Sequence, residues 1–426
     1  MVFINRQQIL NDISLFTSQP KAKFYDDLFA VLDLSSIPFY DCKTGRKGSS
    51  NHAFVCAFIV MKCEGFTQIS DLYDYLVNNL IIAYYCGFNI LKPLPSYASF
   101  TRFIREFDND VLKLLMQQQV LKAYDMCLID TSFIALDSTP VKANVSNNNP
   151  KSFSSSKFSK EKPPKADRDC TLGIQSASNQ HNEKKSEFYW GYKNHILVDC
   201  ISGLPIYEIT TGANTSDSTV TLDILTKTNS FLPLTECSFL ADAAYDVKDI
   251  YNTIKNKYLG DCFISLNTRN AKNPKKLPIG NLICDAGLAM SKDGKCRSEG
   301  RYRQKFCCPF KCSSLKNDCP CNHKNFRKGT KATGCAKYVT IPDDYRLQID
   351  RNSIEFKSVY ALRTEAERYN SRIKQAGCER VYVRNGNSVR NLLTTAHISL
   401  LAIAIATITL KKSASYRSIK SVKRIA

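Results

Sequence analysis

From Ile9 to about Ala123 apolar residues recur at helical spacing, most clearly in AFVCAFIVMKCEGFTQISDLYDYLVNNLIIAYYCGF, with few strand signals. The pattern predicts a helical N-terminal domain over residues 1–125. Within it, Pro95 and Ser96 break the chain at LPSYASFTRFIREF, and Ser99 can cap a helix carrying Arg102 and Arg105. Such a helix suits a DNA groove and equally an ordinary protein surface. The pattern then changes. CLIDTSFIALDSTPVKA contains a β-rich run ending at Asp137, and HILVDC, LPIYEITTGA and CSFLADAAY are further strands. Residues 144–186, rich in Ser, Asn, Lys and Pro, predict a mobile basic loop. DVKDIYNTIKNKYLG predicts a helix and FISLN a strand, and two more helices, YALRTEAERYNSRIK and LLTTAHISLLAIAIATITL, lie beyond a cysteine-rich stretch. The order predicts a mixed α/β core over 126–270 and 346–426, interrupted by an insertion at 271–345.

The last apolar run, 392–410, is long enough to invite a membrane span. Thr394, Thr395, His397, Ser399, Thr407 and Thr409 interrupt it, so a buried helix and no membrane partner are expected. Charge changes the picture more. Lys plus Arg number 59 against 39 Asp plus Glu, a net +20 that favours a polyanionic partner such as nucleic acid, with an anionic membrane surface as competitor. The basic tail KKSASYRSIKSVKRIA would be solvated or touch DNA. MVFINRQQILNDISLF lacks the unbroken apolar core of a signal peptide, which leads to a cytoplasmic expectation. In that setting the 18 cysteines are expected as reduced thiols or metal ligands.

Tyr360, Arg363, Glu367 and Lys374 fall within roughly 60° of one another if 360–374 is one helix, beside an apolar stripe of Val359, Leu362, Ala366, Tyr369 and Ile373. Two readings fit that face: a solvated run of i,i+4 pairs, or one carboxylate set among cations and a phenol for chemistry. Asp137 ends the apolar run FIALD and Asp242 ends FLAD. Each alone is commonly a turn or capping residue. A carboxylate at the end of an apolar strand nevertheless needs a partner or a cation. Three that converge would offer hard oxygen ligands suited to Mg²⁺ or Mn²⁺, the ions of two-metal phosphodiester chemistry.

With these residues in place, the chain resembles bacterial insertion-sequence transposases of the Asp-Asp-Glu class, in the branch whose last acid lies within Tyr-x2-Arg-x3-Glu-x6-Lys. Tyr360, Arg363, Glu367 and Lys374 match every interval. ALDSTPVKAN resembles the first-aspartate motif, FLADAAYD the second, and FYWGYKNHILVDCISGLPIYEITTGANTSDS the strand pair between them. The resemblance implies a ribonuclease H-like core with both aspartates on neighbouring strands and the glutamate on a helix. It implies Asp137, Asp242 and Glu367 as catalytic ligands of Mg²⁺ or Mn²⁺, and Tyr360, Arg363 and Lys374 as contacts to transposon-end phosphates. Double-stranded DNA, both element ends and target, would be the partner of a homodimer. A zinc-containing DNA-binding protein without catalysis and a nuclease that cuts without joining are the competing readings.

CCPFKCSSLKNDCPCNHKNFRKGTKATGC supplies Cys307, Cys308, Cys312, Cys319, Cys321, His323 and Cys335. Four of Cys308, Cys312, Cys319, Cys321 and Cys335 could hold Zn²⁺ tetrahedrally. The spacing is not that of a zinc ribbon, and a reduced basic insertion is the other reading.

Overall fold

The structure is a computed structural model, described here for residues 17–40, 48–149, 155–178, 184–267, 281–298, 301–312, 335–340, 345–410 and 419–425. The first described part is helical: α1 (Pro20–Ala30), α2 (Asn51–Glu64), α3 (Ile69–Asn78), α4 (Leu80–Tyr85), α5 (Tyr97–Glu106) and α6 (Asn109–Asp125). Ser50 opens α2 by accepting from the Ala53 N–H at 3.2 Å, and Gly65, at φ 67°, closes it in the left-handed conformation. α2 is apolar on every side because it is buried on every side. The cap of α5 is Ser96 rather than the expected Ser99, which lies inside the first turn with its hydroxyl 3.2 Å from that of Ser96.

The central sheet contains β1 (Phe133–Lys142), β2 (Thr171–Ser178), β3 (Lys184–Asp199), β4 (Pro205–Gly212), β5 (Ser238–Ala241) and β6 (Asp261–Ile264). Its order is β2-β3-β1-β5-β6, with β4 also on β3. β1 is antiparallel to β3 and parallel to β5, and β5 is parallel to β6. β3 pairs first with β2 and then with β4, and Gly191 sits where the partner changes. A Cβ on Gly191 would fall 2.1 Å from the Val141 carbonyl oxygen, so the close approach of β1 requires glycine there. β2 and the start of β3 occupy part of 144–186, where a loop was expected. They pair with each other antiparallel, Ser178 opposite Lys184, and their Ser-, Gln- and Lys-rich sequence carries no strand signal.

Two helices follow strands, α7 (Asp217–Asn229) and α8 (Lys248–Lys257). The short α9 (Tyr345–Gln348) precedes α10 (Ile354–Ala361), α11 (Thr364–Ile373), α12 (Gly386–Thr409) and α13 (Ile419–Lys423). The segment expected as one helix over 360–374 is therefore divided. At the junction the N–H groups of Leu362, Arg363, Glu365 and Ala366 bond three residues back, at 3.0–3.1 Å. The chain tightens to about three residues per turn there, so the even 100° spacing does not hold across it. The apolar stripe survives: Ala366, Tyr369 and Ile373 are buried, and Val359 and Leu362 pack against the core.

α12 is long and apolar enough to cross a membrane, yet 89% of its most apolar window is buried inside the protein. It packs on α2, α5, α6 and β4. The side-chain amides of Asn387 and Asn391 donate to the carbonyls of Arg105, Ile104 and Phe107 at 2.8–3.0 Å, satisfying the open end of α5. One apolar core consequently runs from Ala22 to Val422, across the expected boundary at 125. Within 271–345, β7 (Ser291–Ser298), β8 (Arg301–Cys307) and β9 (Ala336–Thr340) form a separate antiparallel sheet. Leu282, Cys284, Met290, Phe306, Cys308 and Cys335 make its own small core.

Candidate active site

β1 and β5 stay paired up to Ala135–Leu240. Two residues further along each, Asp137 and Asp242 emerge at the same level, just past the point where the parallel pairing of β1 with β5 ends, while β1 itself runs on to Lys142 beside β3. Asp137 still pairs with Ile196 of β3 on its other side. Asp242 caps the 3₁₀ turn Ala243–Tyr245, accepting from the Ala244 N–H at 2.8 Å. The capping role suggested by its sequence position is thus real, and it leaves the second carboxylate oxygen available.

α11 supplies the third acid and an unforeseen amide. Asn370 Nδ2 donates to Asp137 Oδ2 at 2.9 Å, fastening this helix to β1. Glu367, one turn earlier, lies close enough for its charge to act on Asp137. Burial pushes the Asp137 carboxyl up to about 6; the charges of Asp242 and Glu367 push the same way, and Arg363 and the Ser138 N–H oppose them. Three carboxylates therefore share one neighbourhood. Glu365, two residues before Glu367, faces elsewhere, pairing with Arg368 and Arg372.

Glu367 is engaged by Arg363, whose Nη2 donates to Oε1 at 2.6 Å. Arg363 lies over the Tyr360 ring at 5.6 Å, and Tyr360 stacks on Phe356 at 5.5 Å. Lys374, placed on the same face by the sequence, opens a π-helical turn (Lys374–Cys378) and pairs with Glu379 at 3.9 Å. Among the described residues no three His, Cys, Asp or Glu groups are close enough to hold a metal ion together. Arg363 supplies the positive charge beside Glu367. The residues fit a divalent cation by donor chemistry: hard oxygens only, with ionisation of Asp137 resisted first by burial and then by the neighbouring acids, both of which a bound cation would offset. Glu367 would exchange Arg363 for it.

A second polar group adjoins the site. Lys193 Nζ lies 3.1 Å from Asp217 Oδ1, and His195 Nδ1 lies 3.5 Å from the same oxygen. His195 is paired in register with Ser138, next to Asp137. Burial drops the His195 imidazole to about 4 against the pull of Asp217, so the ring is neutral at pH 7. The phenol of buried Tyr245 is raised well above its ordinary value, first by burial and then by Asp217, Asp137 and Asp242, and stays protonated. Sequence reasoning missed Asn370, Asp217 and Tyr245. Asn370 was findable, since three residues from Glu367 is the same helix face.

Of the expected zinc ligands, Cys319 and Cys321 lie outside the described residues, as does His323, and for Cys312 only the backbone is described, in a 3₁₀ turn. Cys308 and Cys335 are buried in the small core, and the Cys308 N–H donates to the Cys335 carbonyl at 2.9 Å.

Residues 129–402 match the sequence profile of the family described as "Transposase DDE domain". No curated protein matches the chain. Among solved structures, the chain is similar to a piggyBac transposase in a cryo-EM synaptic complex with hairpin DNA, at 10% identity and a TM-score of 0.40, with 96% of this chain and 77% of that one covered.

Proposed function

The chain belongs to the transposase DDE domain family, and from that premise we propose that it binds the terminal inverted repeats of an insertion sequence, cleaves them, and joins the ends to target DNA. What supports this reading is that Asp137 and Asp242 follow paired positions of β1 and β5 and that the charge of Glu367, on α11, acts on Asp137, in a chain with net charge +20. Asp137, Asp242 and Glu367 would hold Mg²⁺ or Mn²⁺. Two such ions, when bound, stabilise the charge that develops on the attacking and leaving oxygens of a phosphodiester. In the first step water attacks the phosphorus and the 3′ oxygen departs with its electron pair. In the second that 3′ hydroxyl gives up its proton and attacks a target phosphorus, and the target strand's own 3′ oxygen departs with its electron pair and is protonated.

The protein's own part is placement and charge. Asn370 holds one oxygen of Asp137, which restrains the carboxylate. Arg363, released from Glu367, becomes a donor for a phosphate of the bound end, with Tyr360 beneath its guanidinium. Lys374 reaches the same backbone as a point charge. Helices 1–125, with Arg102 and Arg105 on α5, contribute duplex binding, and two copies assemble on DNA. In the insertion, four of Cys308, Cys312, Cys319, Cys321 and Cys335 bind one zinc ion, a reading supported by the adjacent backbones of Cys308 and Cys335. Elemental analysis should find one equivalent; none would leave a reduced insertion. We place the protein in the cytoplasm.

Glu367→Gln tests the proposal. It keeps the size of the side chain and removes the charge. The variant should fold and bind end DNA but neither cut nor join it in Mg²⁺ or Mn²⁺. If the pair with Arg363 is only a surface ion pair, the loss is at most about 1 kcal/mol of stability, and cutting at the wild-type rate would refute the assignment.

A further inference from the structure

An unbroken chain of buried hydrogen bonds connects the end of α5 to the helix that carries Glu367. Asn391, whose amide closes α5, accepts from Asn109 Nδ2 at 3.0 Å, and the same amide reaches Thr394 Oγ1 at 3.0 Å. The Thr394 hydroxyl donates to Glu208 Oε1 at 2.7 Å, and Glu208 Oε2 accepts from Asn194 Nδ2 at 2.8 Å. Asn194 Oδ1 then faces His397 Nε2 at 3.1 Å, and His397 Nδ1 faces the Tyr369 hydroxyl at 2.6 Å. Because Asn194 Oδ1 can only accept, His397 carries its proton on Nε2, and its bare Nδ1 accepts from Tyr369. Every member is buried. Tyr369 adjoins Asn370, the residue that grips Asp137.

A helix attached by apolar contacts alone, such as those of Ala366 and Ile373, is weakly restrained against rotation and axial slip. Directional bonds restrain both, and a fully satisfied buried network does so rigidly. Metal sites demand that restraint, since groups behind the ligands set ligand placement. We propose that Tyr369 and His397 are positioning residues for the cation site: through this chain they fix α11 at the height on the sheet from which Glu367 and Asn370 reach Asp137. The inference rests on the assignment of Asp137, Asp242 and Glu367 as cation ligands. It adds that the N-terminal helices, through α5 and Asn109, are mechanically joined to the catalytic helix.

The test uses the full chain stripped of metal, with Mn²⁺ binding followed by electron paramagnetic resonance and melting recorded alongside. Tyr369→Phe removes one hydroxyl and leaves His397 Nδ1 without its donor. Ile254→Val trims a buried residue of α8 that is no part of the chain, and serves as a control for general destabilisation. Wild-type binding should be abolished by Asp137→Asn. Tyr369→Phe should weaken Mn²⁺ roughly 10-fold, the lower end of what outer-shell changes do. Ile254→Val should melt earlier yet bind Mn²⁺ as wild type does. Unchanged affinity in Tyr369→Phe, or equal weakening in Ile254→Val, overturns the positioning role alone. Wild-type protein with no Asp137-dependent Mn²⁺ binding overturns the ligand assignment, and this inference with it.

Discussion

Asp137 is the residue on which the site's electrostatics turn. Its carboxyl ionises near 6 in the folded protein because burial and then Asp242 and Glu367 oppose the charge, whereas an unfolded Asp ionises near ~3.9. The folded state therefore holds the proton more tightly. The stability this lends is complete below about pH 4 and is lost as pH rises through about 6. At pH 7.5 without metal, Asp137 is charged among like charges. Asp137→Asn should then be more stable than wild type, by on the order of 2 kcal/mol in chemical denaturation, with the advantage vanishing toward pH 4. Its amide oxygen still accepts from Asn370. A variant no more stable at pH 7.5 would mean that neither burial nor the neighbouring acids oppose the Asp137 charge. His195 and His397 act in the opposite sense. Burial lowers both to about 4, so their contribution is present above about pH 6.5 and is lost as pH falls toward 4.

At the scale of elements, the junction between α10 and α11 shapes the site. It delivers Arg363 between Tyr360 and Glu367, with the guanidinium mostly shielded and the carboxylate half exposed. Arg363→Ala should reduce end cleavage by ~10²-fold, as loss of a charge-stabilising donor does, while melting close to wild type. Cleavage at the wild-type rate would make Arg363 a packing residue. The elements also show what the chain disclosed in advance. Apolar runs ending in Asp137 and Asp242 were legible, because a strand's burial pattern and its terminal acid are local features. The apolar stripe of α11 was legible for the same reason. The 3₁₀ junction was not, since Leu362 and Arg363 carry no helix-breaking chemistry. β2 and the β7–β9 sheet escaped because these antiparallel pairings run through polar segments that show no hydrophobic period. The grip of Asn370 on Asp137 joins residues 233 positions apart.

The whole molecule is organised around α12. Two of the polar residues that interrupt its membrane-like run, Thr394 and His397, together with Asn391 just before it, tie the N-terminal helices to the sheet and to α11, whereas Thr395, Ser399 and Thr407 bond back to carbonyls of their own helix. The shared core explains why a division at 125, reasonable from the change of hydrophobic period, separates segments that do not have separate interiors. On this architecture the N-terminal helices and the strands carrying Asp137 and Asp242 share one core, which suits the proposed cutting of bound DNA. The central claim is that Asp137, Asp242 and Glu367 hold the catalytic cations, and anomalous scattering from crystals soaked in Mn²⁺ tests it directly. The account predicts manganese peaks among these three carboxylates, with Glu367 turned away from Arg363. Manganese bound elsewhere, with this trio unoccupied and Glu367 still paired to Arg363, would contradict it.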